Sequence, residues 1–228
     1  MRGYDQRYCP IARGSEIFAE RWTPIIVRNL LLGCRTFGQI LEGAPGIPRS
    51  VLSQRLRELE RFRLLEREPN PRGRGWLYQL TPAGEGLQDV CDALGTWGAQ
   101  WLEVAPEELD PGIVLWAVAK SMDAERLPED RIVVRFDIRD FPKQFWLLLQ
   151  RPSAELCRKN PGLDEDLIVT TEKSWLAKWH MGWISLREGN GRGLITIEGP
   201  PRLVRALLGW GGQTPFADVR PLRNIAVE

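Results

Sequence analysis

Histidine is almost missing from this chain: His180 is the single one among 228 residues. With one imidazole and no nucleophile–base pairing or phosphate-binding loop in view, no catalytic set can be assembled, and no enzymatic activity is expected. Cysteine is sparse as well. Cys9, Cys34, Cys91 and Cys157 lie far apart, and none forms a C-x-x-C pair. A metal site and a bound cofactor are therefore not expected, and disulfides are not expected either. Cys34, Cys91 and Cys157 read as small buried hydrophobes. Long apolar runs are absent, as is a signal peptide, so the expected location is cytoplasmic, with no membrane partner. Net charge is also nearly lacking, at +1. This average does not mark a nucleic-acid binder.

What is present is a local excess of charge. From Arg49 to Arg74 there are eight arginines against four glutamates. The resulting net +4 is the footprint that a surface contacting DNA needs. The pattern around it is specific. Thr36 and Gln39 have capping-box spacing ahead of a short helix carrying Phe37, Ile40 and Leu41. Gly43-Ala44-Pro45-Gly46 breaks that helix, and Pro48 suits the first turn of the next. In the second helix Leu52, Leu56 and Leu59 fall within a sector of roughly 60°. Ser50, Gln54, Arg57 and Arg61 point the other way, with Ser53 on the flank and Arg49 at the start. Such a face carries the side chains that read base edges and hold phosphates, although an ordinary solvated helix face has the same pattern. The next segment favours DNA. Leu64 to Glu68 and Trp76 to Leu80 read as two strands around Pro69-Asn70-Pro71-Arg72-Gly73-Arg74-Gly75, a loop whose Arg72 and Arg74 suit a phosphate backbone or minor groove. Helix-turn-helix followed by a basic hairpin predicts a winged helix.

The flanks carry further motifs. Tyr8-Cys9-Pro10-Ile11-Ala12 opens one helix. Arg21-Trp22-Thr23-Pro24 opens another, with Thr23 as N-cap and Gly33 closing it. Arg55-Leu56-Arg57-Glu58-Leu59 and Tyr78-Gln79-Leu80-Thr81-Pro82-Ala83-Gly84 follow. In this order and spacing, residues 8 to 102 resemble the HxlR family of bacterial winged-helix regulators, relatives of the MarR group. The resemblance implies a dimeric transcription factor bound to a double-stranded DNA operator. Cys9 matches the cysteine that opens the family's motif, used by some members to sense quinones, aldehydes or oxidants. Its place before a helix, at the positive end of the helix dipole, suits a reactive thiol, but a cysteine there also packs. Thr81-Pro82 starts a further helix, on which Leu87, Val90, Leu94, Trp97 and Trp101 form one apolar stripe. The stripe is either intramolecular core or, as the resemblance implies, a dimer interface shared with the N-terminal helix.

Val104 to Gly112 is a proline-marked connector. It divides a DNA-binding and dimerisation domain, 1–104, from a second domain, 105–228. The second reads as helix 113–122, strands 131–138, 144–150, 154–158 and 167–171, helix 172–183, strand 194–197 and helix 202–210, an α+β domain on a mostly antiparallel sheet. Asp164-Glu165-Asp166-Leu167, the helix ending near Gly182, the segment Gly189 through Glu198-Gly199-Pro200, and Trp210 with Phe216-Ala217 are similar to the sterol-carrier-protein fold. That resemblance implies an apolar tunnel for a hydrophobic small molecule. Trp116, Trp146, Trp179 and Trp183, together with Trp175, either wall such a cavity or fill the core. Two functions stay open: a ligand- or thiol-responsive transcription factor, or a lipid or small-molecule carrier or an enzyme of the C-terminal domain, in which the N-terminal half only dimerises.

Overall fold

The computed structural model describes residues 8–71, 73–102, 109–220 and 222. The chain divides into two compact units between Gly95 and Thr96. The boundary expected at 104 and 105 lies outside the described residues.

The first unit holds α1 (Pro10–Phe18), α2 (Thr23–Leu31), α3 (Phe37–Glu42), α4 (Arg49–Arg61), the hairpin β1 (Leu65–Pro69) and β2 (Trp76–Leu80), and α5 (Pro82–Glu85); α6 (Gln88–Trp101) crosses the division. The capping box is present. Thr36 Oγ1 accepts from the Gln39 amide at 3.3 Å, and Gln39 Oε1 accepts from Thr36 N at 3.0 Å. Thr23 is not an N-cap. Its N–H already closes a turn onto the Glu20 carbonyl, so α2 starts one residue early, capped by Trp22, and Thr23 is buried inside it. Pro48 likewise caps α4 in an extended conformation and does not open it. Leu52, Leu56 and Leu59 are buried, as are Ile26, Val27, Leu30, Ile40 and Leu65. Each such leucine contributes about 1.5–3 kcal/mol by leaving water.

One helix expected from Thr81 onward is two. Thr81 Oγ1 accepts from Gly84 N at 3.2 Å and donates to the Arg63 carbonyl at 2.7 Å. The Gly86 N–H then bonds back to Pro82, and α5 ends after one turn. Gly84 packs so closely on the Leu64 carbonyl that a side chain there has no room. The turn out of α4 also places Arg63 at φ 57°, the left-handed position that usually holds glycine.

The second unit starts with α7 (Pro111–Lys120), capped by the Asp110 carboxylate on Gly112 N at 2.7 Å. Strands β3 (Ile132–Ile138), β4 (Gln144–Gln150), β5 (Ser153–Cys157), β6 (Leu167–Thr171) and β7 (Thr196–Glu198) form one sheet in the order β5-β4-β3-β6-β7. Only β3 and β6 run parallel. This is the expected α+β arrangement. Val134, Leu147, Leu156 and Leu167 stand in register on one face and are buried. α7 lies on that side, since Gly112 abuts the Phe145 ring. α8 (Lys173–His180) packs on α7. α9 (Leu186–Gly191) was not expected, because LREGNG carries two glycines; the Ser185 hydroxyl caps it on Glu188 N at 3.0 Å. α10 (Pro201–Leu207) ends the regular structure.

His180, half-buried at the end of α8, donates its Nδ1 proton to the Gly212 carbonyl at 2.8 Å. Burial pushes its pKa below the ordinary histidine value, and the hydrogen bond offsets this in part. The unfolded chain therefore binds the proton first. The stability held by neutral His180 is intact above the unfolded pKa of about 6.5 and is lost as pH falls below it toward the folded value. The difference in urea midpoint between the wild type and His180→Gln should accordingly shrink between about pH 7.5 and pH 5.5. A difference that stays constant with pH would contradict this account.

Candidate nucleic-acid interface

Burying the three leucines decides which side of α4 faces outward. Arg49, Ser50, Gln54, Arg57 and Arg61 are exposed and Ser53 is half-buried. Their states differ. Gln54 Nε2 donates to Glu58 at 3.0 Å, Arg49 stacks on Phe37 at 5.0 Å, and Arg61 stacks on Phe62 at 4.8 Å. Arg57 has no acidic partner among the described residues. Arg55 is different again. It pairs with Glu20 at 2.8 Å and Glu58 at 2.6 Å on the helix flank, so its charge is spent inside the fold.

The wing stands beside this face. Asn70 N bonds to Gly75 O at 3.0 Å across the loop. Arg74 is exposed there, whereas Arg72 lies outside the described residues. The hairpin is anchored at its other end: Tyr78 N donates to Arg35 O at 2.7 Å, and Thr36 bridges to Leu77, so the α2–α3 connection serves as a short third strand. Between α4 and the wing lies a cleft of about 120 Å³ lined by Ser53, Leu56, Arg57, Glu60, Arg67 and Tyr78. Arg67 and Tyr78 were not among the expected site residues. The strand period carried a signal for them, because Arg67 shares the face of buried Leu65 and is in register with Tyr78.

The stripe on α6 is open. Val90, Leu94, Trp97 and Trp101 are 44%, 50%, 52% and 48% exposed, and α6 has no buried residue. Ile11 of α1 is exposed too, and α1 likewise buries nothing. Cys9 is half-buried at the N-cap position of α1. Cys34 is buried as expected; Cys91 and Cys157 are only half-buried, because Cys91 stands on α6, which buries no residue, and Cys157 is the last residue of β5.

The tryptophans of the second unit are not brought together. Trp116 is buried on α7, which packs on the sheet, and Trp179 is buried on α8, which packs on α7. Trp146, also buried, stands on the opposite face, in register with Arg135, and its Nε1 donates to Glu165 at 3.1 Å. Trp183 is 41% exposed. The Arg135 guanidinium holds Asp137 at 3.1 Å and Glu165 at 3.2 Å. The Trp146 hydrogen bond, aided by Arg135, keeps the Glu165 carboxyl below the usual range. Among the described residues no group of His, Cys, Asp and Glu side chains is arranged to hold a metal, and no helix is long and apolar enough to cross a membrane.

Comparison with known proteins places this architecture. The model of the HxlR-like helix-turn-helix family matches residues 17–106. An HTH-type transcriptional regulator of Synechocystis is 33% identical over 96 residues, which cover 42% of this chain and 71% of that protein. YvaP, an HTH-type regulator of Bacillus subtilis, is 32% identical over 104 residues, or 45% of this chain and 94% of that protein. A regulator of Mycobacterium tuberculosis is 39% identical over 95 residues, of which this chain spans 58% of the length. Among solved structures, reduced YodB of B. subtilis aligns at 32% identity and a TM-score of 0.37, covering 42% of this chain and 95% of that one. The ubiquinone synthesis protein UbiJ-SCP2 aligns at 18% identity and a TM-score of 0.33, covering 43% and 76%. With its capped α3, its leucine-seated α4 and its basic hairpin, the chain belongs to the HxlR-like helix-turn-helix family of transcriptional regulators.

Proposed function

We propose that the chain is a homodimeric, sequence-specific DNA-binding transcriptional regulator whose C-terminal α+β unit, sterol-carrier-like in kind, takes a hydrophobic small molecule. The observation that carries the reading is the outward face of α4. Arg57 is free of acidic partners there and stands among Arg49, Ser50, Ser53, Gln54 and Arg61, beside the Arg74 wing. In this reading α4 enters the major groove, Gln54 and Arg57 meet base edges or phosphates, and Arg72 and Arg74 follow the backbone. In this reading the chain acts by binding and not by catalysis, and its sole histidine donates its Nδ1 proton to the Gly212 carbonyl.

Dimerisation rests on the open Leu94, Trp97 and Trp101 stripe. Two exposed indoles and a leucine on one helix are costly to leave in water and suit a second copy's α6 and α1. Cys9, at the N-cap of α1, would then lie near that seam, so a thiol-based response is the second reading. Ligand binding rests on the helix-covered sheet with Trp116 and Trp179 inside; Trp146 and Trp183 were expected with them and would have to serve from elsewhere.

Three outcomes are expected. In a gel shift on the region upstream of its own gene, Arg57→Ala weakens binding and Gln54→Ala relaxes sequence preference by roughly 1–3 kcal/mol. Unchanged binding in both variants would remove α4 from the groove. Light scattering at micromolar concentration gives a dimer for the wild type and a monomer or insoluble protein for Trp97→Asp; a wild-type monomer would end the dimer reading. Native mass spectrometry of the protein purified from cells shows a retained apolar molecule of lipid-like mass that organic extraction releases. A mass equal to the bare chain, unchanged after incubation with fatty acids and sterols, would leave the C-terminal unit without that role.

A further inference from the structure

The cleft between α4 and the wing holds more donor chemistry than a structural gap needs. Arg67 is fixed in two ways. Its Nε stands 3.0 Å from Glu60 Oε1 in an ion pair, and its guanidinium carbon lies over the Trp76 ring, 4.6 Å from the centroid. The ion pair engages Nε, and the terminal nitrogens have no acidic partner among the described residues. Arg57 and Ser53 line the same cleft, with no acidic partner among the described residues, and the nearly buried Tyr78 lines it as well. Burial raises the Tyr78 pKa, so the phenol remains an O–H donor. Two guanidiniums, a hydroxyl and a phenol converge on about 120 Å³, with Glu60 as the only acid in the lining. Glu60 is about one-third exposed and can swing outward.

We propose that this cleft takes one phosphate of the DNA backbone, held by Ser53, Arg57, Arg67 and Tyr78, and that Glu60 occupies Arg67 until the phosphate displaces it. The proposal rests on the DNA-binding reading and deepens it. Bidentate guanidinium–phosphate pairing is strong and geometrically selective, and the Trp76 stack holds the fork ready for it. A carboxylate beside the incoming phosphate repels it, so Glu60 sets a fixed penalty that is the same for every sequence. Ion pairs at this exposure contribute little to folding, so neutralising Glu60 is tolerated. As a brace between helix and wing the pair would help DNA binding; as a gate it hinders it. The two roles predict opposite signs for one substitution.

The test measures Kd by fluorescence anisotropy at several KCl concentrations, on a duplex carrying the region upstream of the chain's own gene and on a scrambled duplex of equal length and composition. Glu60→Gln should tighten both by about three- to tenfold at low salt, and Arg67→Gln should weaken both by about tenfold and reduce the slope of log K against log salt by about one. The double variant should bind like Arg67→Gln alone. Weaker binding by Glu60→Gln would make the pair a brace and overturn the proposal, as would a tightening that persists without Arg67. Should Arg67→Gln fail to fold, the sign of the Glu60→Gln effect still decides. A wild type that binds neither duplex would refute the DNA-binding reading itself, a result distinct from these.

Discussion

The buried amide of Asn29 is the constraint on which the first unit depends. It is fully enclosed, so each of its polar atoms must find a partner or cost about 1–3 kcal/mol. Its Nδ2 donates to the Ile40 carbonyl at 3.0 Å, and its Oδ1 accepts from Arg28 Nε at 3.1 Å and Nη2 at 2.8 Å. Arg28 then reaches the Gly43 carbonyl at 2.7 Å. Two adjacent residues of α2 therefore hold the end of α3 and the turn that follows. That turn aims α4, and α4 can bury its leucines only from that starting point. The Arg35 and Thr36 contacts to β2 tie the wing to the same frame. A directional network of this kind tolerates less drift than apolar packing alone.

Charge on this frame is not what counting residues implies. The segment from Arg49 to Arg74 is net +4, but Arg55 is tied to Glu20 and Glu58, and Arg67 to Glu60. Glu58 is further engaged by Gln54, whose hydrogen bond, with Arg55, keeps that carboxyl below its usual range. The acids therefore do not cancel the field evenly. Glu58 and Glu60 take up Arg55 and Arg67 and leave Arg49, Arg57, Arg61, Arg63 and Arg74 exposed with no acidic partner among the described residues. This arrangement localises the potential and lets a nearly neutral chain present a basic surface.

Local chemistry was legible in the sequence, and long-range pairing was not. The Thr36–Gln39 box, the Leu52, Leu56 and Leu59 sector and the hairpin all follow from short spacings, and all stand in the structure. Boundaries slipped where a tertiary bond competed with a local preference, as at Thr23, whose amide is taken by Glu20, and at Gly86, where one helix became two. α9 was invisible because its glycines argue against a helix that Ser185 nonetheless caps. The tryptophans show the same limit. Trp146 was grouped with Trp116 and Trp179 by residue type, but strand alternation in β4 sends it to the far face of the sheet. Arg67 and Tyr78 became visible as partners only once the hairpin register was known.

The proposed ligand response would require that the two units share an equilibrium, since a ligand shifts DNA affinity only by its differential affinity for two states. A coupling of 1–3 kcal/mol is typical, enough for a change of about five- to 150-fold. α6 has residues in both units, starting in the first and ending in the second, and its apolar stripe is exposed. If that stripe is the dimer seam, the spacing of two α4 helices and the environment of Trp97 and Trp101 depend on one helix pairing. In the proposed reading the helix that carries the dimer seam is thus one whose residues are divided between the two units.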